Sequence, residues 1–417
     1  MVKILNNRLD FKDGTFFLSQ LFLCLGFFWF PISLSAVNLS LLLSLLFWML
    51  AFFGGHTEAK LTEVWHNPIT LPALLLVFLI IGGAFWSPAN WSDIADFFRK
   101  YLKFLVLPIL LVLLADPKTR ARCWQGFILA MLITLVTTWL NVWFQLPWSR
   151  TQNQGFGIDH TVFKDHISQG IMMAFFACLS LFFALKSKSK FQTAIWFGVA
   201  TLAVVSILFL SSGRTGYLAL IFSLLVFAVF AIGVSKKAIF GIFIAGALAI
   251  ALVFSVSPQF QQRTVQAWEE AKNSNMSSVT SVGARVQIWR FALSKVNDNP
   301  VLGAGTASYP VDAAKHFDAP QWCSVVCTHP HNQFIFFLFE LGAIGLLIFL
   351  WFVVAIARQA LHYSPHHKAL MLSFVTIIVA SNMTNSSFWI STESHFLILM
   401  PALFMASAVH RNRLSRA

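Results

Sequence analysis

The sequence predicts an all-α polytopic membrane protein with about twelve transmembrane helices and one large loop on the outer side of the membrane. Of its 417 residues, 58% are hydrophobic and only 11% are charged, whereas an average soluble domain carries roughly 25% charged residues. The mean hydropathy is +0.73. This composition excludes a soluble enzyme, a disordered tail protein and a small disulfide-stapled secreted domain.

A helix needs about 20 mostly apolar residues to cross the hydrocarbon core of a bilayer, and twelve apolar stretches are predicted to do so. No small-residue cleavage site follows the first stretch, so no cleaved signal peptide is expected. The predicted spans cover about 15–34, 39–55, 70–87, 99–115, 123–145, 166–185, 192–210, 215–234, 238–256, 332–357, 367–381 and 394–410.

Basic residues orient the chain, because the cytoplasmic loops of membrane proteins collect Lys and Arg. With the N-terminus inside, the predicted cytoplasmic segments hold 17 of the 29 Lys and Arg residues. This asymmetry accounts for much of the net charge of +13, so no nucleic-acid partner is needed. We expect nine spans in 1–256, a periplasmic loop domain with helices in 257–331, and three spans with a cytoplasmic tail in 332–417.

Within the outside loop, residues 284–297 are predicted to form an amphipathic helix. Either Ser281 or Gly283 is suited to cap its start, which places Arg285 in the first turn. Four apolar residues recur at the helical spacing of three or four: Val286, Trp289, Leu293 and Val296.

Two arginines of the outside face are candidates for binding an anion. Arg214 lies in the sequence Ser-Ser-Gly-Arg-Thr-Gly (211–216) between two outward span ends. It either reaches lipid headgroups or contacts a phosphate, because glycines allow close backbone approach and a helix start adds its positive dipole end. Arg285 likewise has two interpretations: it is either a surface arginine of an amphipathic helix or a residue that binds a phosphate with two hydrogen bonds.

A pair of histidines flanks a proline at the mouth of the tenth span, in the sequence Thr-His-Pro-His-Asn-Gln (328–333). His331 is a candidate general base, because a neutral imidazole accepts a proton near physiological pH. His329 is its close neighbour and a candidate for substrate binding. Zinc binding and capping of the following helix are the alternatives.

Further ionisable residues are predicted to line the same outside vestibule. His160, with Lys164 and His166, falls in another outside loop. Glu340 lies inside the tenth span, where a carboxylate is a functional candidate by default; it would order an arginine or take part in the chemistry. Three basic residues stand at the outward start of the fourth span, facing either lipid headgroups or a pyrophosphate: Arg99, Lys100 and Lys103.

Cys323 and Cys327 both belong to the outside loop, four residues apart. A disulfide is possible in a periplasmic segment, and two free thiols are equally compatible with the sequence.

Several catalytic motifs are absent from the sequence. Gly303-Ala304-Gly305 lacks the Gly-Lys-Ser/Thr of a phosphate-binding loop, and neither an Asp-x-Asp pair nor a Gly-x-Ser-x-Gly elbow occurs. An enzyme with this sequence would receive its energy from an already activated lipid donor, and neither a metal nor a cofactor is expected.

The order and sidedness of these features resemble the O-antigen ligases. The shared features are twelve spans, one large outside loop, an arginine after the seventh span, Ser-x-Gly-x-Arg (281–285), His-x-His-Asn (329–332) and Glu-Leu-Gly (340–342). The resemblance covers the topology of the whole chain and is sharpest from 211 to 345. It implies the GT-C fold of membrane glycosyltransferases.

The resemblance implies transfer of a polysaccharide from undecaprenyl diphosphate to a sugar hydroxyl of lipid A–core, on the periplasmic face of the bacterial inner membrane. At matching positions Arg214 and Arg285 would bind the diphosphate and His331 would be the base. A base is needed because a sugar hydroxyl attacks poorly, and arginines stabilise the departing diphosphate without a metal. In-line attack would invert the anomeric carbon.

Other functions remain open at this point. The O-antigen polymerases and the protein O-oligosaccharyltransferases belong to the same superfamily and use a glycan–lipid or a Ser/Thr acceptor. A transporter of lipid-linked glycans is the alternative from a different class. Charges in the middle of several spans would favour a transporter, whereas most charges here lie at span ends.

Overall fold

The computed structural model describes residues 2–56, 61, 64–233, 235–272, 279–317 and 319–414, with side chains from 13 to 407 within these ranges. Val234, where the eighth predicted span ends, lies outside them. The described ranges form a 3₁₀ turn at Val64–His66 and sixteen α-helices. These are α1 Val2–Trp29, α2 Leu34–Phe53, α3 Thr70–Gly83, α4 Trp91–Leu113, α5 Pro117–Leu140, α6 His166–Lys186, α7 Lys190–Leu210, α8 Arg214–Ile232, α9 Lys236–Val256, α10 Pro258–Lys272, α11 Ser281–Val296, α12 Ser308–His316, α13 Pro320–Val326, α14 Gln333–Ala360, α15 Pro365–Thr384 and α16 Ser391–Leu414.

Each predicted span coincides with one of these helices, and α1 to α9 and α14 to α16 are the twelve concerned. Eight of them are long and apolar enough to cross a membrane, namely α2, α5, α6, α7, α8, α9, α14 and α15. Among the other four, α3 has only 14 residues. The chain is therefore an all-helical multi-pass membrane protein over its described residues, and the total of twelve spans stays a prediction.

The inner helix α6 sets the position of α8. It packs against α5, α7, α8 and α15, and its start is capped by the Asp165 carboxylate. The helices α6 and α8 meet backbone to backbone, because a Cβ on Gly170 would lie only 3.0 Å from the Cα of Gly216. This close approach holds the first turn of α8, with Arg214, beside the first turn of α6.

The segments that were predicted to lie outside meet at one end of the helix bundle. Ser212 Oγ, between α7 and α8, donates to Asp159 Oδ2 at 2.8 Å. Asn332 Nδ2, before α14, donates to Met383 O near the end of α15 at 3.1 Å. Segments far apart along the chain thus form one continuous surface, which the charge asymmetry predicts to be periplasmic.

The amphipathic helix that was predicted at 284–297 is α11, which begins three residues earlier. Its cap is Thr280, whose Oγ1 accepts the amide of Gly283 at 3.2 Å; the prediction of Ser281 or Gly283 as the cap was wrong. Thr280 has an extended backbone, which lets its hydroxyl reach an amide three residues ahead. The three other helices of this loop, α10, α12 and α13, were not predicted.

The loop before α12 is docked onto a bend in α14. The bend is at Gly342, whose φ of 63° is left-handed and costs little for glycine. Gly303 packs against the backbone of Glu340 and Gly342, where a Cβ would clash, and Gly305 N donates to Glu340 O at 2.9 Å. The Glu-Leu-Gly pattern therefore has a structural role, because it anchors the outside loop to the membrane helices.

Candidate functional site

Arg214 is the first residue of α8 and forms an ion pair with Glu270 of α10. Its Nη1 and Nη2 donate to the two carboxylate oxygens, each at 3.1 Å, and Nη2 also reaches Gln266 Oε1 at 3.3 Å. Only 20% of the Arg214 side chain and 11% of the Glu270 side chain are exposed. This two-pronged geometry is the one with which arginine binds carboxylate or phosphate. The donors that were predicted to bind a diphosphate are therefore engaged by a carboxylate in this structure.

Glu270 also reaches the start of α11, since its Oε2 accepts the amide of Val282 at 2.8 Å. Burial raises the pKa of this carboxyl, but the hydrogen bonds from Arg214 and from the Val282 amide outweigh burial and hold the pKa below its usual value. Glu270 is thus ionised at neutral pH and ties α8, α10 and α11 together. The sequence analysis missed this residue, because nothing in the local sequence distinguishes it from its neighbour Glu269.

Arg285 lies one turn into α11, next to this ion pair. Its Nη1 donates to the backbone oxygen of Ser281 at 3.2 Å and to the hydroxyl at 3.0 Å. The buried Nε has no hydrogen-bond partner among the described residues. Burial and then the positive charge of Arg214 lower the pKa of Arg285, although a guanidinium stays charged at neutral pH. Arg285 therefore retains an N–H group that an anion would satisfy.

His331 is held in an unusual backbone conformation in front of α14. Its φ of 49° lies in the left-handed region, which is uncommon for a residue with a side chain. The turn is fixed on one side by Trp289 of α11, whose Nε1 donates to Pro330 O at 2.9 Å. On the other side Asn332 caps α14 by accepting the amide of Ile335, so the predicted capping role belongs to Asn332. The turn thereby aims the imidazole away from the helix.

The imidazole of His331 is neutral at physiological pH. Burial and then the positive charge of Arg285 lower its pKa to about 4. Its Nε2 lies 3.4 Å from Val325 O, and its buried Nδ1 has no hydrogen-bond partner in the described part of the chain. One ring nitrogen is therefore available to accept a proton, and a cationic guanidinium acts on the same ring.

His329 packs against His331, with ring centroids 4.2 Å apart. Burial, and then the charges of His331, Arg285 and Lys100, hold the pKa of His329 well below its usual value. Its Nδ1 accepts the backbone N–H of His331 at 3.3 Å, so His329 supports the turn. Lys100 therefore acts electrostatically on His329.

Behind His331 lies a buried polar pair from the segment between α15 and α16. Asn385 is near enough to His331 to raise its pKa, and its Nδ2 donates to Glu393 Oε1 at 2.9 Å. Asn385 Oδ1 and Glu393 Oε2 are buried without a hydrogen-bond partner among the described residues. Buried polar atoms are rarely left unpaired, so this pair faces polar groups that a substrate could provide. The sequence analysis did not identify either residue.

The three basic residues of α4 have different surroundings. Lys100 Nζ lies 5.4 Å from the ring centre of Trp389, a cation–π distance. Arg99 is 73% exposed and pairs with Asp96 at 2.7 Å, whereas Lys103 Nζ lies 3.5 Å from Lys100 O. Of the three, Lys100 acts electrostatically on His329, and it also faces Trp389 in the segment between α15 and α16.

His160 and Glu340, which were predicted to bind substrate, are both enclosed by protein. The ring nitrogens of His160 lie 3.1 Å from Asn141 O and 2.6 Å from Gly155 O, so this ring braces its own loop. Glu340 Oε1 accepts the amide of Tyr309 at 3.2 Å. Both side chains are thus buried against backbone groups of the protein and do not face an open vestibule.

Lys164 and His166 flank the start of α6. His166 Nδ1 lies 3.3 Å from Asp159 Oδ2, and that pairing, together with hydrogen bonds from Thr161 and Ser212, outweighs burial and lowers the pKa of Asp159 to about 2. Lys164 is buried, which lowers its pKa to about 8. Both residues thus belong to the junction between the α5–α6 loop and α6.

Cys323 and Cys327 form a disulfide across one turn of α13. The same short helix supplies two backbone oxygens to the site region: Val325 O, which faces His331, and Val326 O, which accepts the hydroxyl of Tyr309 at 2.9 Å. The disulfide therefore braces the helix against which the candidate base rests.

Arg214 of α8, Arg285 of α11 and His331 of the turn before α14 are brought into one electrostatically connected cluster. Arg285 is the link, since it acts on Arg214 and on His331. A guanidinium beside a neutral imidazole can hold an anion and accept a proton from a neighbouring hydroxyl. Such a pairing suits group transfer from a phosphate ester to an alcohol.

Comparison with known proteins points to the same part of the chain. Residues 200–350, which include all three residues of the cluster, match the family model described as O-antigen ligase. Two proteins named "Putative polysaccharide ligase" are similar: one of Rickettsia conorii, 27% identical over 34% of this chain and 37% of that protein, and one of Rickettsia felis, 26% identical over 33% and 36%. The matched part spans little more than a third of these relatives. Residues 200–350 are thus similar to the O-antigen ligase family.

Proposed function

We propose that this protein transfers an O-antigen polysaccharide from undecaprenyl diphosphate to a sugar hydroxyl of lipid A–core. The reaction takes place on the periplasmic face of a bacterial inner membrane, at the cluster of Arg214, Arg285 and His331. The observation that carries the proposal is the position of Arg285, which acts on both Arg214 and the His331 ring. A leaving diphosphate and an attacking hydroxyl would need these two kinds of group side by side.

Arg285 receives the diphosphate first. Its buried Nε has no hydrogen-bond partner among the residues that the structure describes, so a phosphate oxygen would satisfy it. As the bond to the anomeric carbon breaks, negative charge grows on the phosphate oxygens, and a fixed guanidinium stabilises that charge more in the transition state than in the ground state. No metal is needed for this role, because arginine stays protonated.

Arg214 binds the diphosphate by exchanging one anionic partner for another. In the structure Glu270 occupies both η nitrogens of Arg214, and a carboxylate and a phosphate present similar oxygen pairs to the guanidinium fork. We infer that the diphosphate displaces Glu270 and takes its place on Arg214. Glu270 thus keeps the arginine aligned while no donor is bound.

His331 removes the proton from the acceptor hydroxyl. In the free protein burial and then the charge of Arg285 keep the imidazole neutral and weakly basic, with a pKa of about 4. An anionic diphosphate on Arg285 offsets that positive charge and raises the basicity of the ring when the donor is present. The base is therefore strongest when both substrates are in place. Direct attack inverts the anomeric carbon.

Several neighbours are assigned supporting roles. Lys100 and His329 extend the binding surface next to the base, and Arg99 and Lys103 attract the anionic acceptor towards it. His160 and Glu340 brace the backbone, as their hydrogen bonds indicate.

The decisive experiment is reconstitution of the purified full chain with glycan-linked undecaprenyl diphosphate and lipid A–core, without nucleotide. We expect a covalent glycan–lipid A product from the wild type and none from His331→Ala. His362→Ala is the matched control, since His362 is exposed and lies between α14 and α15. A product only with a second lipid-linked glycan would instead indicate a polymerase, and substrate exchange without a covalent product would indicate a transporter.

A further inference from the structure

A second cavity lies at the other end of the bundle, away from the candidate site. It is an open cavity lined mainly by α5, α6, α15 and α16, with a volume of about 390 Å³. This volume lies within the range of roughly 300–1,000 Å³ that is usual for small-molecule sites. The cavity is lined by residues near the start of α15 and the end of α16, whereas Asn385 and Glu393 of the candidate site stand at the opposite ends of these helices. We call it the inner cavity.

The polar residues of the inner cavity are gathered at its mouth, where the helices begin or end. Arg120 belongs to the first turn of α5, and its Nη1 donates to Leu114 O at 2.9 Å and Ala115 O at 3.2 Å. One nitrogen of the guanidinium is thereby fixed in place, and the others remain for a ligand. His367, in the first turn of α15, uses Nδ1 for Ser364 Oγ at 2.8 Å, so Nε2 is the ring nitrogen available to a ligand.

The residues about one turn deeper in the cavity are apolar. Trp124 of α5 meets Phe404 of α16 edge to face, with ring centroids 5.3 Å apart. Leu179, Leu370 and Met371 complete this floor. The cavity thus has one cationic end and one apolar end. This distribution is complementary to an anionic amphiphile.

The charge around the mouth favours an anion. Asp116 is the acid next to Arg120, and its carboxylate already caps α5 through the amides of Lys118 and Thr119. Lys186, at the end of α6, acts electrostatically on His367. Three further basic residues stand in the neighbouring loops and helix starts: Lys188, Lys190 and Lys368. A positively charged mouth at a membrane surface attracts anionic lipids.

We propose that the inner cavity binds one anionic glycerophospholipid from the adjacent leaflet, with its phosphate on Arg120 and His367 and an acyl chain against Trp124 and Phe404. The positive-inside rule makes this the cytoplasmic leaflet. A zwitterionic lipid would bring an ammonium group to the same cationic mouth and would bind more weakly. The site is separate from glycan transfer and does not depend on it.

The test measures binding of dioctanoyl-phosphatidylglycerol to the purified full chain in a neutral detergent, by calorimetry or by native mass spectrometry. We expect it to bind at least tenfold more tightly than dioctanoyl-phosphatidylcholine and than glycerol 3-phosphate. Equal binding of the two lipids would overturn the role of the cationic mouth. Equal binding of glycerol 3-phosphate would overturn the assignment to a lipid.

Substitutions at the inner cavity test whether phosphatidylglycerol binds there. Arg120→Gln should weaken phosphatidylglycerol binding at least tenfold, whereas Arg122→Gln, which removes the same charge from an exposed position on α5, should change it less than twofold. Because Arg120 also holds the end of α4, Met371→Trp and Leu179→Trp provide a second route, filling the cavity without changing charge. Unchanged binding in both tryptophan variants, or equal losses in the two arginine variants, would refute the proposal.

Discussion

Arg285 couples the two halves of the candidate site. Its charge acts on Arg214 and Glu270 on one side and on His329 and His331 on the other. Interactions between charges weaken beyond about 10 Å at ordinary ionic strength, so this influence requires that α8, α11 and the turn before α14 lie close together. A change at Arg285 should therefore alter both anion binding and the behaviour of the base.

The first prediction concerns the shape of the Arg285 side chain. Arg285→Lys keeps the charge but loses the planar fork, so kcat/KM for the lipid-linked donor should fall about 10- to 100-fold, in line with losses on removing a transition-state donor. Arg290→Lys is the control, since Arg290 is exposed on the same helix, and it should stay within twofold of the wild type. Near-normal turnover of Arg285→Lys would place this arginine outside the site.

The second prediction concerns the competition between Glu270 and the donor. Glu270→Gln keeps an oxygen acceptor for the Val282 amide but weakens the hold on Arg214, so the donor KM should fall several-fold. Glu269→Gln is the control, because its carboxylate is not part of this ion pair. A higher KM in Glu270→Gln would mean that the carboxylate is needed to hold Arg214 for the donor.

The third prediction follows from the lowered pKa of His331. The ring must be neutral to accept a proton, so activity should be retained from pH 7 down to about pH 5 and lost as the pH falls through about 4. The pH profile of kcat/KM reports the free protein and checks this. In Arg285→Gln the acid limb should move to higher pH, because a positive charge that lowers the pKa is gone. An acid limb near 6.5 in the wild type would contradict the burial of the ring.

At the scale of elements, the site depends on how helices that are distant in the chain are braced. The disulfide of α13 and the Trp289 bond from α11 hold the turn that carries His331. The contact between Gly170 and Gly216 sets the start of α8. None of these braces touches a substrate in the proposed mechanism, yet each determines where a reacting side chain lies.

The fourth prediction tests the contact between α6 and α8. Gly170→Leu inserts a side chain where a single Cβ already lies 3.0 Å from Gly216 Cα, so thermal stability should fall by the equivalent of about 1–3 kcal/mol, and transfer should fall with it because Arg214 is displaced. Gly198→Leu is the matched control on α7, where a Cβ meets nothing within 4 Å. Equal effects of both substitutions would indicate a general intolerance of the membrane helices.

At the scale of the whole molecule, the two ends of the bundle carry different chemistry. One end gathers arginines, histidines and buried polar pairs around a candidate reaction centre, and the other carries an apolar cavity with Arg120 and His367 at its mouth. The helices α15 and α16 contribute to both ends. Membrane proteins place such polar groups at helix ends, because charges in the middle of the bilayer are costly.

The fifth prediction applies to the intact protein with both substrates. If guanidinium groups stabilise the leaving diphosphate, excess chelator should leave turnover within twofold of the untreated protein. The measurement is product formation by the purified full chain before and after dialysis against the chelator. A loss that zinc or magnesium restores would assign the charge stabilisation to a metal.

The membrane helices were predictable, whereas the short helices of the outside loop were not. A spanning helix satisfies its backbone hydrogen bonds within its own segment and needs a long apolar run, so twelve stretches could be matched to helices from local composition. The helices α10, α12 and α13 are polar or short and carry no strong periodic pattern. Their positions depend on contacts such as Arg214 with Glu270 and Tyr309 with Val326.

The amino-acid sequence alone indicated an all-helical membrane protein and the positions of its apolar helices, because these follow from composition, and short motifs suggested the arginines and the histidine of the candidate site. Only the tertiary structure showed that Glu270 forms the ion pair with Arg214. It also showed that burial and the charge of Arg285 lower the pKa of His331, and that Asn385 and Glu393 form a buried pair near that ring. The physical reason is distance along the chain: burial and charge at a site are set by side chains that meet only when helices from different parts of the sequence pack together.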